Sequence, residues 1–401
     1  MTGETDSSDF PIAGDAADVD VFALALNETG SGLIYARLIG GAVPDPQETA
    51  DDYGYAIAVE NGKAYITGIT NSVDFPTTNS TTYDKGGDVF ICKLNSDGTT
   101  AYSTVKGGKY VDAGYGIDVK NGIAWVTGET NSTDFLTRIT GGAVFVINLT
   151  GIGLVDTVRV FDGTISFGAQ EAYERGTALT LDSAGDIYVT GYTKSVNFPV
   201  TDESTYAGGL NDAFLLKLDQ STTIYGTYLG GGGSDHGYGV AIDALGGVVL
   251  VGDTYSTDFP VTVDAFQSAN KGNGDGFITR FFLGGDDPGF RSYSSYLGGT
   301  GIDTPKAVVM DDLVSAYLVG NTTSTDFPVT IDAFDQSLNE SQDAFLSVMA
   351  VAPMPSVQIE KATNGEDSDT APGVYYIPGT DITWTYTVTN NGELPLTEVE
   401  V

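Results

Sequence analysis

The sequence predicts an all-β fold: a β-propeller of four-stranded blades, with six blade positions of which the first is incomplete, followed by part of a second β-domain. Three observations predict it. One stretch recurs as TDSSDFP from Thr5, TNSVDFP from Thr70, TNSTDFL from Thr130, TKSVNFP from Thr193, TYSTDFP from Thr254 and TTSTDFP from Thr322. Its phenylalanines, Phe10, Phe75, Phe135, Phe198, Phe259 and Phe327, recur at intervals of 60 to 68 residues. In strand-rich sequence that period marks a propeller blade or a small sandwich in tandem. Composition agrees: 53 glycines, 22 tyrosines and 19 phenylalanines in 401 residues suit short strands joined by tight turns.

Each period holds four strand-like runs in a fixed order. After the loop comes DAFLLKL (212–218), matched by DVFICKL (88–94), DGFITRF (275–281) and DAFLSVM (343–349). IYGTYLGG (224–231) follows, matched by AYSTVKGG and SYSSYLGG; then GYGVAID (237–243), matched by GYAIAVE and YGIDV. The last is VVLVG (248–252), matched by AYITG, AWVTG, IYVTG and AYLVG. All alternate with the two-residue period of a pleated strand. ENGK (60–63) and KNGI (120–123) place Asn-Gly between strands, a strong hairpin signal. The Gly- and Ala-rich GYGVAID type suits the innermost strand A, where blades converge. The VTG type is then strand B, the DAF type strand C and the YLGG type strand D at the outer edge. In the third period VDTVRVFDGTISFGAQEAYERG (155–176) stands in place of a compact strand D and its turn, which reads as a local insertion.

The string G-x-T-x-S-x-D-F-P, then D-A-F, then Y-S-x-Y-L-G-G, resembles the SBBP-type beta-propeller repeat of prokaryotic surface and secreted proteins, from residue 2 to about residue 350. The resemblance implies a propeller placed outside the cell. Complete A strands number five and C strands six, and MTGET at the start parallels VTGET (126–130). The expectation is a fragment of a longer protein, opening inside a strand B; a complete five-bladed ring would leave one strand C without a place.

The propeller is expected to span 1–349 and the proline-punctuated linker 350–357. Residues 358–401 resemble the start of an immunoglobulin-like extracellular repeat, common in adhesins and S-layer proteins, through DITWTYTVTNNGELPLTEVEV. Some 45 residues cannot complete its sandwich of about seven strands. Trp384 alternates with Tyr386 and Val388, so that face is expected to be core.

Fifty-four acids against 17 bases give a formal charge of −37, which excludes nucleic acid and anionic lipid as partners. No run approaches the roughly 18 apolar residues of a membrane span, and MTGETDSSDF lacks the pattern of a secretory signal. Cys92, the single cysteine, alternates with Phe90 and Leu94 and reads as a small core hydrophobe.

Three acidic positions recur. The loop carries Asp9, Asp74, Asp134, Asp258 and Asp326, with Asn197 in the remaining copy. Strand C opens with Asp20, Asp88, Asp212, Asp275 and Asp343, with Ala143 in the third blade. Before strand A stand Asp52, Asp112, Asp235 and Asp303, with Glu174 as the substitute. All three sets are expected at one end of the propeller. Each Asp is expected to accept backbone N–H bonds in its own turn. The alternative is a calcium site, with Asp52, Asp112, Asp235 and Asp303 as candidate ligands; calcium takes about six to eight oxygens. No dedicated calcium-loop motif accompanies them, and no other cofactor is implied. The loop Phe is expected to fill the wedge between neighbouring blades.

His236 is the only histidine, so a Ser-His-Asp set would need it, with Ser234 and Asp235 merely its sequence neighbours. A carboxylate pair acting on a glycoside needs only acids, but here the acids follow the repeat rather than break it. Asn27, Asn79, Asn131, Asn148, Asn321 and Asn339 lie in N-glycosylation sequons. The expected function is a non-catalytic, extracellular or cell-surface propeller for structure or adhesion, whose partners are surface proteins or glycans. Calcium-dependent sugar binding is the alternative, and a glycoside-processing enzyme the third reading.

Overall fold

Alternating apolar residues and Gly-rich turns fold each period into one antiparallel sheet. The computed structural model describes residues 1–7, 10, 19–41, 50–79, 86–135, 142–163, 174–283, 289–312, 314–338, 340–351, 357–367 and 375–390. No helix occurs among them. The first sheet holds β1 (Thr2–Thr5), β2 (Asp20–Leu26) and β3 (Leu33–Ile39), which are strands B, C and D. The second runs in order β4 (Asp52–Glu60), β5 (Lys63–Thr70), β6 (Asp88–Leu94) and β7 (Thr100–Lys106). The third is β8 (Asp112–Lys120), β9 (Ile123–Thr130), β10 (Ala143–Leu149) and β11 (Val155–Phe161). The fourth is β12 (Glu174–Leu181), β13 (Ile187–Thr193), β14 (Asp212–Leu218) and β15 (Thr223–Leu229). The fifth is β16 (Asp235–Ile242), β17 (Val248–Thr254), β18 (Asp275–Phe282) and β19 (Phe290–Leu297). The sixth has three strands, β20 (Asp303–Met310), β21 (Ser315–Thr322) and β22 (Asp343–Ala350), which are A, B and C.

These are the blades of a β-propeller, each a meander whose first strand packs beside the first strand of the next blade. Apolar clusters join successive sheets: Val144 and Val146 of blade three meet Phe214 and Leu216 of blade four, and Leu215 of blade four meets Leu250 and Phe277 of blade five. Among the described residues no such cluster joins the sixth sheet to the first. A sheet this narrow cannot bury both faces alone, so its neighbours supply the core. Blade three corrects one expectation. Its strand D is present as β11, paired with β10; the departure falls in the following link, much of which lies outside the described residues.

The recurring loop fills the wedge as its aromatic residue suggested. Phe75, Phe135, Phe198 and Phe259 are buried and lie 4.6 to 5.0 Å, ring to ring, from Phe90, Phe145, Phe214 and Phe277 of strand C. Each is worth roughly 1.5–3 kcal/mol of apolar burial. The Thr of each VTG run donates its hydroxyl to that strand C Phe carbonyl: Thr67 to Phe90 at 2.8 Å, Thr127 to Phe145 at 2.9 Å and Thr190 to Phe214 at 2.8 Å. Strand A of the following blade passes so close that a methyl group on Gly114, Gly176 or Gly237 would overlap those same hydroxyls.

The tail forms a separate sheet in the order β24 (Glu366–Asp367), β23 (Val357–Thr363) and β25 (Trp384–Asn390). Trp384 and Tyr386 are exposed there, with Lys361 over both rings. That corrects the expected core role: no second layer covers this face among the described residues.

Candidate functional site

The acids that precede strand A hold the blades' turns together. Asp52, Asp112, Asp235 and Asp303 are each fully buried and sit directly opposite Thr70, Thr130, Thr254 and Thr322 of strand B. Oδ2 of each accepts two bonds. One comes from the second Gly of the D–A link: Gly41, Gly108, Gly231 and Gly299, at 3.0, 2.8, 2.9 and 2.8 Å. The other comes from the loop serine: Ser72, Ser132, Ser256 and Ser324, at 2.7, 2.8, 2.8 and 2.7 Å. Three of the loop aspartates, which are exposed, close the same link from outside. Asp134 accepts from Lys109 N–H at 3.0 Å, Asp258 from Gly232 N–H at 2.8 Å and Asp326 from Thr300 N–H at 2.8 Å. Asp9 lies outside the described residues. The T-x-S-x-D-F loop is thus a clamp on the preceding link, which corrects the expectation that each loop Asp serves its own turn: Asp134, Asp258 and Asp326 reach back 25 or 26 residues to the D–A link.

The strand C acids face the strand A acids across the first Gly of that link. A methyl group on Gly230 would sit 2.6 Å from Asp235 Oδ2 and 3.2 Å from Asp212 Oδ1. Gly298 lies likewise between Asp303 Oδ2, at 2.6 Å, and Asp275 Oδ1, at 2.8 Å. Each of these junctions therefore buries a carboxylate pair. Burial, and then the charge of Asp235, pushes Asp212 up to about 7 against the pull of the Ala207 N–H. Burial raises Asp112 to about 6, and it raises Asp52, Asp235 and Asp275 as well. Glu174 takes the acid's place opposite Thr193, as its position in the sequence suggested, and burial pushes it to about 8. Oδ1 of Asp52, Asp112, Asp212, Asp235 and Asp275 is buried without a hydrogen-bond partner. Among the described residues no three His, Cys, Asp or Glu side chains converge. A cation at a junction would draw on two carboxylates and the adjacent hydroxyls, with other oxygens completing its shell.

The inner strands share a bulge whose occupant changes from blade to blade. Strand A skips one residue of register at Tyr55, Tyr115, Thr177, Tyr238 and Lys306. Such a bulge re-aims the extra side chain. The residues just before it also differ from blade to blade, among them Tyr53, Arg175 and His236. Together they form a run of aromatic and charged groups along successive inner strands. Tyr53 stacks on Tyr55 at 6.2 Å, and Tyr55 on Tyr115 at 5.1 Å. Arg175 lies 4.4 Å above Tyr115, and Tyr192 meets His236 edge-on at 4.7 Å. His236 stacks on Tyr238 at 6.0 Å, and Lys306 Nζ lies 3.8 Å above Tyr238.

Fixed carboxylates orient this lining. Glu129 accepts two bonds from Arg175, both at 2.9 Å, and one from the Tyr115 hydroxyl at 2.8 Å. Burial works against the Arg175 charge, but Glu129 outweighs it and the guanidinium is held above its usual range. Burial and then Glu129 raise Tyr115; burial and then Asp253 raise Tyr238. His236 Nδ1 lies 2.7 Å from Asp253 Oδ1, and Nε2 lies 2.9 Å from Asn211 Nδ2. Both ring nitrogens are thereby engaged, and the Ser-His-Asp arrangement weighed from the sequence does not form: Ser234 accepts from Leu210 N–H, at 3.3 Å.

Sequence reasoning missed this lining, because its members lie in five different periods and look like ordinary strand residues. The GY pair repeated at the start of strand A was the available signal. Cys92 is fully buried, and burial pushes its thiol to about 12, as a core hydrophobe requires. Of the described sequon residues, Asn27 is exposed, whereas Asn148 is buried and accepts from Thr157 N–H at 2.7 Å. Asn339 lies outside the described residues.

Residues 167–199 match the SBBP family, described as a beta-propeller repeat. No curated protein matches the chain in sequence. Solved structures of similar outline include a protein of unknown function from Bacteroides caccae, 8% identical, with TM-score 0.34, covering 75% of this chain and 77% of that one. A GH32 beta-fructofuranosidase of Bombyx mori, in complex with sucrose, is 11% identical with TM-score 0.31, covering 69% and 55%. The PQQ-bound aldose sugar dehydrogenase of Streptomyces coelicolor is 10% identical with TM-score 0.29, covering 82% and 98%. Likeness at that level carries no functional argument.

Proposed function

We propose that this propeller is a non-catalytic glycan-binding module of the cell exterior, and that it takes sugar along the inner strands. One observation carries the reading: the bulge that recurs in strand A is filled differently from blade to blade, by tyrosines and cations, beside the fixed strand B carboxylates Glu129 and Asp253. Tyrosine offers a flat apolar face and a polar tip on a side chain with little freedom to lose. The Glu129–Arg175 pair and Asp253 would orient ring hydroxyls. The acidic surface suits an extracellular setting, and no helix among the described residues is long and apolar enough to cross a membrane.

Calorimetric titration with a panel of neutral and acidic oligosaccharides tests this. The wild type is expected to bind at least one without altering it. Tyr115→Ala and Tyr238→Ala are each expected to weaken binding about tenfold, the equivalent of about 1.4 kcal/mol. Silence across the panel, or affinity unchanged in both variants, would contradict the reading; released sugar products would contradict its non-catalytic part.

A second reading, calcium-dependent binding, is favoured by the orphaned carboxylate oxygens of Asp52, Asp112 and Asp235. It requires calcium to release heat on binding and to raise the melting temperature, with chelator reversing both. An unchanged melting curve would dismiss it.

A further inference from the structure

Blade six ends one strand short among the described residues. β22 pairs with β21 on one side only, whereas each of the five earlier C strands carries a strand D on its outer edge. Beside the bare edge runs a groove of about 950 Å³, lined by the length of β22, by Phe327, Val329 and Phe334 of the B–C link, and by Tyr293 and Leu297 of blade five. The five other blades show what covers such an edge.

Blade five is the template, because its link FPVTVDAFQ (259–267) nearly matches FPVTIDAFDQ (327–336). There Thr262 N–H donates to Ser294 O at 2.9 Å, and the Thr262 hydroxyl accepts from Ser294 N–H at 3.0 Å. Thr201 grips Gly226 in the same way in blade four, and Thr78 grips Ser103 in blade two. The Tyr296 hydroxyl accepts from Phe259 N–H at 3.0 Å and donates to Ser256 O at 2.9 Å. Tyr228 repeats this with Phe198 and Ser195. In blade six the counterparts Thr330, Phe327 and Ser324 are all in place, but no strand D meets them among the described residues. Phe334, which holds the position of Phe266, is fully exposed.

We propose that this edge accepts an extended strand of the type Y-x-x-Y-L-G-G from a partner polypeptide, added antiparallel to β22 as its missing strand D. Main-chain bonds to β22 give such strand addition its affinity, and side-chain pockets give it selectivity. The register follows from β18 and β19, where Phe277 pairs with Tyr296 and Gly276 with Leu297. The incoming second Tyr lies opposite Phe345, with its hydroxyl on Ser324 O and Phe327 N–H, and the Leu lies opposite Ala344. Thr330 grips the strand from its other side.

The probe is a synthetic peptide, FRSYSSYLGG, copied from residues 290–299 and titrated onto the whole chain. Labelled peptide is expected to bind one per chain, to raise the melting temperature, and to slow amide exchange along Asp343–Ala350. The same peptide with both central serines replaced by proline, which lacks one ladder N–H and the N–H that the threonine hydroxyl grips, is expected to bind at least tenfold more weakly. Thr330→Val, at an exposed position, is expected to leave the free protein's melting unchanged and to weaken the peptide several-fold. Failure to bind at millimolar peptide, equal binding of the proline peptide, or protection located in another blade would each overturn the proposal.

Discussion

At Gly252 the repeat leaves no room for a side chain. A methyl group there would overlap His236 O and approach Phe277 Cε1 at 2.8 Å, so Gly252→Ala is expected to destabilise by about 1–3 kcal/mol. A urea midpoint equal to wild type would contradict that. The buried acids make a second expectation, in pH. Asp212 and Glu174 titrate near 7 and 8 in the folded protein, whereas free carboxyls titrate near 4. The folded state therefore holds protons that the unfolded state has lost between roughly pH 4 and 8, so stability falls as pH rises through that window. Asp212→Asn is expected to flatten the fall in melting temperature between pH 5 and 8; an unchanged slope would contradict the assignment. The places of these acids were legible in the sequence because they recur. Their pairing was not, because Asp212 and Asp235 meet only once a Gly-Gly link folds strand D back to the next strand A.

Within a blade, the loop and strand D hold each other. Tyr296 links strand D to Phe259 N–H and Ser256 O, both in the recurring T-x-S-x-D-F-P loop. Tyr296→Phe removes both bonds, leaving Phe259 N–H without that acceptor and Ser256 O with only the long 3.4 Å bond from Asn270 Nδ2, an expected loss of about 1–3 kcal/mol. Phe259→Ala opens a cavity against Phe277 and is expected to cost about 3–5 kcal/mol. Chemical denaturation checks both, and equal effects of the two variants would contradict the packing described. Strand order A to D was readable from alternation and turn residues. The bulge in strand A was not, because one extra residue leaves a GYGVAID run looking like any alternating strand; only its pairing with strand B shows the skipped Tyr. The outer edge of blade six, which carries no strand D among the described residues, and the exposed face of Trp384 escaped for a related reason: a strand's sequence does not say what lies beside it.

Across the whole molecule, stability comes from each blade covering its neighbour, while a charge of −37 opposes it. Screening shortens from about 30 Å at 0.01 M salt to about 8 Å at 0.15 M, so the melting temperature is expected to rise over that range; a fall would mean that ion pairs outweigh the self-repulsion. In the proposed reading the same architecture divides the work: the residues that recur unchanged hold the sheets, and the inner-strand bulges, whose occupants vary from blade to blade, would take the ligand. Amide hydrogen exchange, with and without the tightest-binding oligosaccharide of the panel, tests that division most directly. Protection is expected at the starts of β4, β8, β12, β16 and β20, around Tyr55, Tyr115, Arg175, His236 and Lys306. Protection confined to the B–C links or to the outer D strands, with the inner strands unchanged, would contradict it.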